Sequence, residues 1–273
     1  MTRRRMVTLA LLGVAVLAVT AWRLTRHPRA DRDWLPDQRL APTVTFAGDT
    51  VRIVDVRDAD PRTRAPRWHA MTVDLARLDS VWLVVAPFST KWRGPAHTFV
   101  SFGFSDGTYL AVSVEARREV GEEYGVVAGA LDRFEVLYVV GTEHDLIGRR
   151  VFDDEGPVYL YPIRAERAAL RTLLTEMLTR ADRLRTHPEF YNTFTNNCTS
   201  NLVAHVNRVV TRKVPGGLVT LLPGYADAVA DRLGLLAADG TLDEMRRRFE
   251  IGARARAALD APDFSRRIRE AAP

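Results

Sequence analysis

Residues 96–115, with the sequence AHTFVSFGFSDGTYLAVSVE, decide the fold of this chain. Within them, residues 105–107 (SDG) are typical of a type I turn followed by a glycine in the left-handed position of a β-hairpin. The turn pairs Phe104 with Thr108 and predicts two antiparallel strands in a defined register. Counting back from it gives one face that is almost wholly apolar, which we predict to face the core. Its residues are Thr98, Val100, Phe102, Leu110, Val112 and Val114.

The opposite face of this hairpin carries polar side chains. The same register places Ser101 and Ser113 on this face and sets His97 opposite Glu115. Directly opposed residues have Cβ atoms about 4.5–5.5 Å apart. We therefore expect Glu115 to hold the His97 imidazole in one tautomer, as an acid does in a Ser-His-Asp triad. The alternative is a solvated sheet face that carries a charge pair.

Working outward from the hairpin, further strands and then helices are predicted. Short apolar or alternating runs indicate strands at residues 45–46, 51–56, 81–85, 134–140 and 158–163. Apolar residues near a 3.6-residue period, or helical composition between Pro-Gly breaks, indicate helices at residues 164–185, 199–210, 224–236, 242–259 and 264–271. Strands followed by helices without steady alternation predict an α+β domain with an antiparallel sheet and C-terminal helices, over residues 44–273.

The N-terminal segment, residues 1–26, is predicted to be a membrane anchor or a signal segment. Residues 6–22 are an uncharged apolar run that follows three arginines, and its length is at the short end of what spans a bilayer. The alternative is a cleavable signal peptide, with residues 19–21 (VTA) as the cleavage site. In both cases the leading arginines stay inside and the domain is exported, so we expect a single-pass inner-membrane protein whose domain faces the periplasm or cell exterior. Residues 27–43 are predicted to be a linker.

Charge and composition exclude several classes of function. The chain has a net charge of +5, but residues 1–30 hold six arginines and no acid, so the remainder is close to neutral. This balance does not indicate nucleic-acid binding, which needs a basic patch on the folded domain. No two histidines share a close ligand spacing and the single cysteine gives no Cys-x-x-Cys pair, so no metal site is predicted. Neither a phosphate loop nor a redox or nucleotide cofactor is predicted.

The only cysteine, Cys198, lies in the sequence YNTFTNNCTSNL (residues 191–202). Asparagine, threonine and serine cap helices, and apolar residues follow at helical spacing, so Cys198 is predicted in the first turn of a helix. There, free backbone N–H groups and the helix dipole favour a thiolate and stabilise an oxyanion. This is the arrangement of a cysteine nucleophile. The alternative is a small buried hydrophobic residue.

A thiolate nucleophile needs a base, and His97 is the best of six candidates. His205 lies seven residues after Cys198 on the same helix, about 10 Å away and too far for a direct hydrogen bond. His144, which follows Glu143 and precedes Asp145, is the main competitor.

Polar residues near the nucleophile are candidates for binding substrate. Tyr191, Asn196 and Asn197 could donate to an oxyanion, although helix capping is the alternative for the asparagines. Arg117 and Arg118 could meet a phosphate or a carboxylate, although a solvated charge run is the alternative. Ser101, on the polar face of the hairpin, is a further candidate.

Taken together, six motifs resemble a known family. They are AHTFVSFGF (residues 96–104), SVEARRE (113–119), EFYN (189–192), NNCTSN (196–201), LPGY (222–225) and FSRRIR (264–269). The resemblance is to the N-terminal periplasmic domain of the lipoprotein N-acylation transacylase, over residues 30–270. It implies a circularly permuted papain-like fold, in which the histidine strand precedes the cysteine helix as in the lecithin–retinol acyltransferase group.

The same resemblance implies acyl-transfer chemistry. The best-known member moves an acyl chain within a lipoprotein from the lipid glycerol to the N-terminal amine, which implies a thioester on Cys198 and a donor at the membrane. That transacylase carries additional transmembrane helices, whereas this chain has one candidate.

Three functions follow from these observations. The first is acyl transfer or hydrolysis on lipid or lipoprotein acyl groups, through a Cys198 thioester. The second is a cysteine amidase or peptidase that acts on cell-wall peptides. The third is a non-catalytic module that binds lipid or a partner. An apolar groove to Cys198 favours the first, an open polar cleft the second, and a cysteine without a nearby histidine the third.

Overall fold

The computed structural model describes residues 25–270 and, before them, a few isolated positions: Arg5, Val7, Leu11, Gly13, Val14, Leu17, Thr20 and Ala21. The predicted membrane segment, residues 6–22, therefore falls largely outside the described residues. Among the residues that are described, no helix is both long and apolar enough to cross a bilayer.

Eight strands form one mixed sheet that is mainly antiparallel. The strands are β1 (Thr43–Ala47), β2 (Thr50–Arg57), β3 (Trp68–Asp74), β4 (Leu78–Pro87), β5 (Ala96–Phe104), β6 (Tyr109–Arg117), β7 (Glu135–Gly141) and β8 (Tyr159–Pro162). Their order is β1-β2-β7-β6-β5-β4-β8, and β3 pairs with β2 outside this path. Only β2 and β7 run parallel, through one bridge between Arg57 and Gly141.

Nine α-helices lie within residues 25–270. They are α1 (Val126–Ala130), α2 (Glu143–Asp153), α3 (Arg167–Thr186), α4 (Cys198–Val209), α5 (Leu218–Leu221), α6 (Ala226–Arg232), α7 (Leu242–Phe249), α8 (Gly252–Ala258) and α9 (Phe264–Arg267). The α+β class with C-terminal helices is confirmed. The strand β3 and the helices α1, α2 and α5 were not predicted.

The central hairpin has the predicted register over four residue pairs, from Val100 opposite Val112 to Gly103 opposite Tyr109. The predicted apolar face does contribute to the main core, where α3, α4, α6 and α7 cover it. The opposite face is also buried, because α2, α8 and α9 pack Ile147, Ala255 and Phe264 against it. The sheet is thus enclosed on both sides, and its polar face is not the solvated surface considered above.

Two predicted helices are shorter than expected because the chain returns to the sheet. The helix predicted over residues 242–259 is split, since Ile251 N–H donates to the Val158 carbonyl at 2.8 Å and Glu250 bridges to Tyr159. The helix predicted over residues 224–236 ends at Arg232, and Leu236 then bridges to Ile163.

Part of the predicted linker, residues 27–43, packs against the domain. Trp34 is only 5% exposed and bridges to Glu119, and the 3₁₀ turn Pro36–Gln38 buries Asp37 and Gln38. Buried polar groups need partners. Here the Gln38 carbonyl and side chain bind Arg117 and Arg118, at 2.9 and 2.8 Å.

Candidate active site

Cys198 is the first residue of α4, as its flanking sequence predicts. Asn197 caps the helix in a reciprocal capping box with Ser200. The start of the helix is also tied to the sheet, since the hydroxyls of Thr98 on β5 and Thr199 lie 2.9 Å apart. This contact sets the thiol beside the first residues of β5, where His97 lies.

A cavity of about 840 Å³ contains the predicted chemical centre, and Cys198, His97, Glu115 and Tyr191 all line it. Its volume is within the roughly 300–1,000 Å³ range of small-molecule sites. The structure therefore brings together, in one cavity, residues from β5, β6 and the start of α4. Cys198 itself is only 6% exposed, so a reagent must enter the cavity to reach its sulfur.

The Cys198 thiol has surroundings that favour the thiolate. Burial alone would raise its pKa, because it disfavours the charged form. Hydrogen bonding to His97 and the charge of that imidazole outweigh this effect, with smaller contributions from the Thr98 N–H and the Thr199 hydroxyl. Together they lower the pKa of Cys198 to about 7. A thiol with this pKa is substantially ionised at neutral pH, which is the condition for nucleophilic attack.

Ser113 lies between His97 and Glu115, which do not form the direct pair that we expected. The paired residues of β5 and β6 end at Val100 and Val112, and the Ser113 Oγ lies 2.7 Å from His97 Nε2. The same hydroxyl donates to Glu115 Oε1 at 3.4 Å.

The order of these groups assigns the imidazole tautomer. An ionised carboxylate only accepts hydrogen bonds, so the Ser113 hydroxyl gives its hydrogen to Glu115 and accepts one from His97 Nε2. In the neutral imidazole the other ring nitrogen, Nδ1, then has a free lone pair that can accept the Cys198 proton. The prediction that an acid orients His97 stays a prediction, now with a hydroxyl as the intermediate group.

Glu115 is held as a carboxylate by nearby cations. Although burial opposes ionisation, the charges of Arg57 and Arg149 outweigh it and lower the pKa of Glu115 to about 2. Arg57 is fully buried and lies 3.9 Å from Glu115, while its guanidinium binds Asp145 at 2.7 and 3.0 Å. Gln38 adds a hydrogen bond to Glu115 at 3.2 Å.

The candidate oxyanion donors differ in their availability. Asn197 uses its amide on the carbonyls of Thr193 and Thr220, and Asn196 lies outside the cavity with its amide on Phe190. Tyr191 does line the cavity, where burial and then the neighbouring Cys198 raise its pKa. The N–H of Cys198 is a first-turn amide, which has no acceptor within its helix. Of the candidate oxyanion donors, Tyr191 and this N–H therefore remain.

Three other predicted residues take different places. Arg117 stacks on Trp34 and donates to the Gln38 and Arg39 carbonyls, so it does not line the cavity. Arg118 does line it. Ser101 is fully buried in the sheet, and its Oγ has no hydrogen-bond partner among the described residues.

The competing histidines are engaged elsewhere. His144 Nε2 lies 2.9 Å from the Leu259 carbonyl, and His205 Nε2 lies 2.8 Å from the Tyr138 hydroxyl. Neither lines the cavity. Within the part of the chain that the structure describes, no group of His, Cys, Asp or Glu is arranged to hold a metal ion.

Sequence reasoning missed three residues of the site: Ser113, Gln38 and Arg57. Ser113 was placed on the correct face but received no role. The signal that could have found it is its position two residues before Glu115, which puts both side chains on one side of the strand. Gln38 and Arg57 carried no local signal, because they reach the site from distant parts of the chain.

The outer wall of the cavity is largely apolar. It is formed by side chains from four separate segments: Phe88, Trp92, Tyr124, Val126, Phe194 and Leu221. All six are exposed, which is unusual for a cluster of large apolar residues. The rest of the lining includes the charged residues Arg64, Glu115, Arg118, Arg149, Arg150, Asp153 and Asp154.

Comparison with known proteins identifies a family. The model of a family described as the Lnb N-terminal periplasmic domain matches residues 64–222, which is more than half of the chain and includes the hairpin and Cys198. No curated protein and no solved structure shows significant similarity.

Proposed function

Because this chain belongs to the Lnb N-terminal periplasmic domain family, we propose that it is a thiol acyltransferase or hydrolase that acts on lipid or lipoprotein acyl groups. One observation carries the proposal: Cys198 and His97 share a cavity whose outer wall is apolar. An acyl chain can occupy the apolar part while its carbonyl reaches the sulfur. The cell-wall amidase alternative expects an open polar cleft instead.

The first half-reaction forms a thioester. His97 Nδ1 takes the thiol proton, and the Cys198 sulfur attacks the ester carbonyl of the acyl donor. The oxyanion accepts hydrogen bonds from the Cys198 N–H and from Tyr191. When the tetrahedral adduct collapses, the C–O bond breaks and the imidazolium gives its proton to the departing alcohol. The acyl group is then on Cys198.

The second half-reaction releases the acyl group. An amine or a water molecule attacks the thioester while His97 takes a proton from it, and the C–S bond breaks to return the thiolate. Ser113 and Glu115 stabilise the imidazolium in both steps, because their hydrogen bonds keep Nε2 protonated and its ring fixed. With an amine acceptor the enzyme is a transferase, and with water it is a hydrolase.

We also propose the arrangement in which this chemistry takes place. The order of His97, Glu115 and Cys198 along the chain agrees with a circularly permuted papain-like fold. Family membership supports a domain on the periplasmic side, and residues 6–22 would anchor it in the inner membrane as a single span. A membrane lipid or a lipoprotein is then the substrate.

The test is covalent labelling of the full chain in mild detergent, followed by intact mass. Two thiol-reactive probes with the same warhead are compared, one with a long acyl chain and one with a short peptide. We expect the acyl probe to label the wild type fastest, Cys198→Ala to remain unlabelled, and His97→Ala to react slowly. Faster labelling by the peptide probe would favour the amidase. If Cys198 reacts only after denaturation, the remaining interpretation is that the domain is a non-catalytic module.

A further inference from the structure

The mouth of the cavity is surrounded by exposed apolar side chains. We call this set the apolar rim: Trp92, Val126, Phe194 and Leu221, which line the cavity, and Val127 and Leu218, which lie beside them on α1 and α5. Val127 and Leu218 are each 73% exposed, and Trp92 is 57% exposed. Single exposed apolar residues are normal on a soluble protein, but a contiguous group around one cavity marks a contact surface.

The segments that carry the rim are fixed to one another and to the start of α4. The Thr193 hydroxyl donates to the Val126 carbonyl at 3.0 Å, which joins the loop of Phe194 to α1. Asn197 donates to the Thr220 carbonyl at 3.0 Å, which joins α5 to the helix that begins with Cys198. The rim is therefore part of the framework of the site.

The chain leaves the predicted membrane segment beside this rim. Arg26 donates to the Leu131 carbonyl at 3.2 Å, and its guanidinium lies over the Phe190 ring at 5.1 Å. Leu131 directly follows α1, which bears two rim residues. The Thr25 N–H donates to the Ala21 carbonyl at 3.2 Å, so Ala21, the last described residue of the apolar run, lies within about one helical turn of Arg26.

From these two observations we propose that the apolar rim is a membrane-contact surface that inserts into the headgroup region of the bilayer holding residues 6–22. A bilayer fits better than a protein partner, because the rim lies where the anchor brings the domain closest to lipid. Tryptophan among aliphatic residues is also typical of membrane interfaces. The inference deepens the proposed function, since a cavity that opens at the lipid surface lets an acyl chain reach Cys198 without crossing water.

The experiment places an environment-sensitive NBD label on the rim of the full chain. In a Cys198→Ala background, the variants Val127→Cys, Leu218→Cys and Phe46→Cys each carry the label, in vesicles of phosphatidylethanolamine and phosphatidylglycerol. Phe46 is the matched control, because it is an exposed apolar residue on β1. It lies on β1, at the end of the strand order of the sheet, and does not line the cavity.

We expect lipids with a nitroxide near the headgroup to quench the labels at Val127 and Leu218, and iodide in the buffer to quench the label at Phe46. Equal behaviour at all three positions would overturn the proposal. If the acyl probe still labels Cys198 in the wild type, that result leaves the proposed function intact. If the nitroxide lipids quench the rim labels but the acyl probe does not label Cys198, the membrane-contact surface is supported and the proposed acyltransferase function is contradicted.

A second pair of variants tests the role of the rim in substrate entry. In the same vesicles, Val127→Asp with Leu218→Asp should slow labelling of Cys198 by a membrane-dissolved acyl probe, and Phe46→Asp should not. Labelling by water-soluble iodoacetamide should stay unchanged in both, because the site itself is intact. An unchanged rate with the acyl probe in the double variant would contradict the inference.

Discussion

The cavity around His97 and the buried cluster around His205 contain the same side chain in opposite surroundings. His205 is 3% exposed and binds the Tyr138 hydroxyl, and burial and the nearby charge of Arg180 lower its pKa to about 4. His97 lines a cavity and contacts a thiol on one side and the Ser113 hydroxyl on the other. A buried histidine beside Arg180 stays neutral and structural even with Glu176 3.7 Å from its Nδ1, whereas one between a thiol and an acid-bound hydroxyl can exchange a proton.

The largest expected effect comes from replacing His97, because only this one of the two histidines is proposed to act as a base. His97→Ala should slow formation of the acyl-enzyme by about 10²–10⁴-fold, which is the usual contribution of a general base. His205→Gln should leave it almost unchanged. The measurement is the rate of thioester formation from a long-chain activated ester, followed by mass spectrometry. Equal losses in both variants would show that His97 acts only through the fold.

The second effect is on stability and belongs to His205. The unfolded chain protonates this histidine near pH 6.5, while the folded chain keeps it neutral down to about 4. The unfolded state therefore binds more protons between these values, and the free energy of unfolding falls as the pH drops through this window, by at most roughly 3 kcal/mol.

Urea denaturation at a series of pH values measures this effect. His205→Gln should lose this part of the pH dependence, because it removes the titrating group. His69→Gln, at an exposed position on β3, should retain it and serves as the control. The interpretation of His205 is wrong if both variants lose the same free energy at every pH.

The third effect is on the titration of Cys198. In the wild type, the rate of labelling by iodoacetamide should rise with pH through an inflection near 7, because the thiolate is present above its pKa. Without His97 the inflection should move above about 8.5, the ordinary value for cysteine, since burial is then opposed only by the weaker effects of the Thr98 N–H, the Thr199 hydroxyl and the helix terminus. An inflection that stays near 7 in His97→Ala would assign the effect to the helix terminus alone.

The smallest expected effect is a difference in the rate of thioester formation between alanine variants of two serines, Ser113 and Ser101, on the same sheet face. Ser113→Ala breaks the link between His97 and Glu115 and should slow thioester formation by about tenfold, the equivalent of one hydrogen bond to a charged group. Ser101→Ala removes an unpaired buried hydroxyl and should be neutral or slightly stabilising. The two alanine variants are compared in rate and in urea denaturation. A similar rate for both would mean that Ser113 does not position the base.

The central hairpin and the start of α4 could be predicted because local signals specify them. A Ser-Asp-Gly turn sets the register, and the run of capping residues sets Cys198 at a helix terminus. The relation of His97 to Glu115 could not be predicted, since paired residues end at Val100 and Val112 and the side chains beyond that point depend on the rest of the sheet.

Other parts of the site depend on contacts that no local pattern encodes. Asn197 combines capping with a hydrogen bond to Thr220, so its amide is unavailable to substrate. The burial of the polar face depends on α2, whose sequence EHDLIGRRVFD has too many charged residues to be recognised as a covering helix. Many of these charged side chains have partners inside the protein. Asp145, for example, accepts a hydrogen bond from the Arg57 guanidinium.

The docked segment before β1 sets a practical limit on shortening this protein. A truncation at residue 44, where the sequence alone would start the domain, removes the carbonyls of Asp37, Gln38 and Arg39 that receive the guanidinium groups of Arg57 and Arg117. Two buried cations would then lose acceptors, and such groups are costly to leave unpaired. A shortened protein intended for crystallisation should therefore begin no later than about residue 30, ahead of Trp34 and its bridge to Glu119.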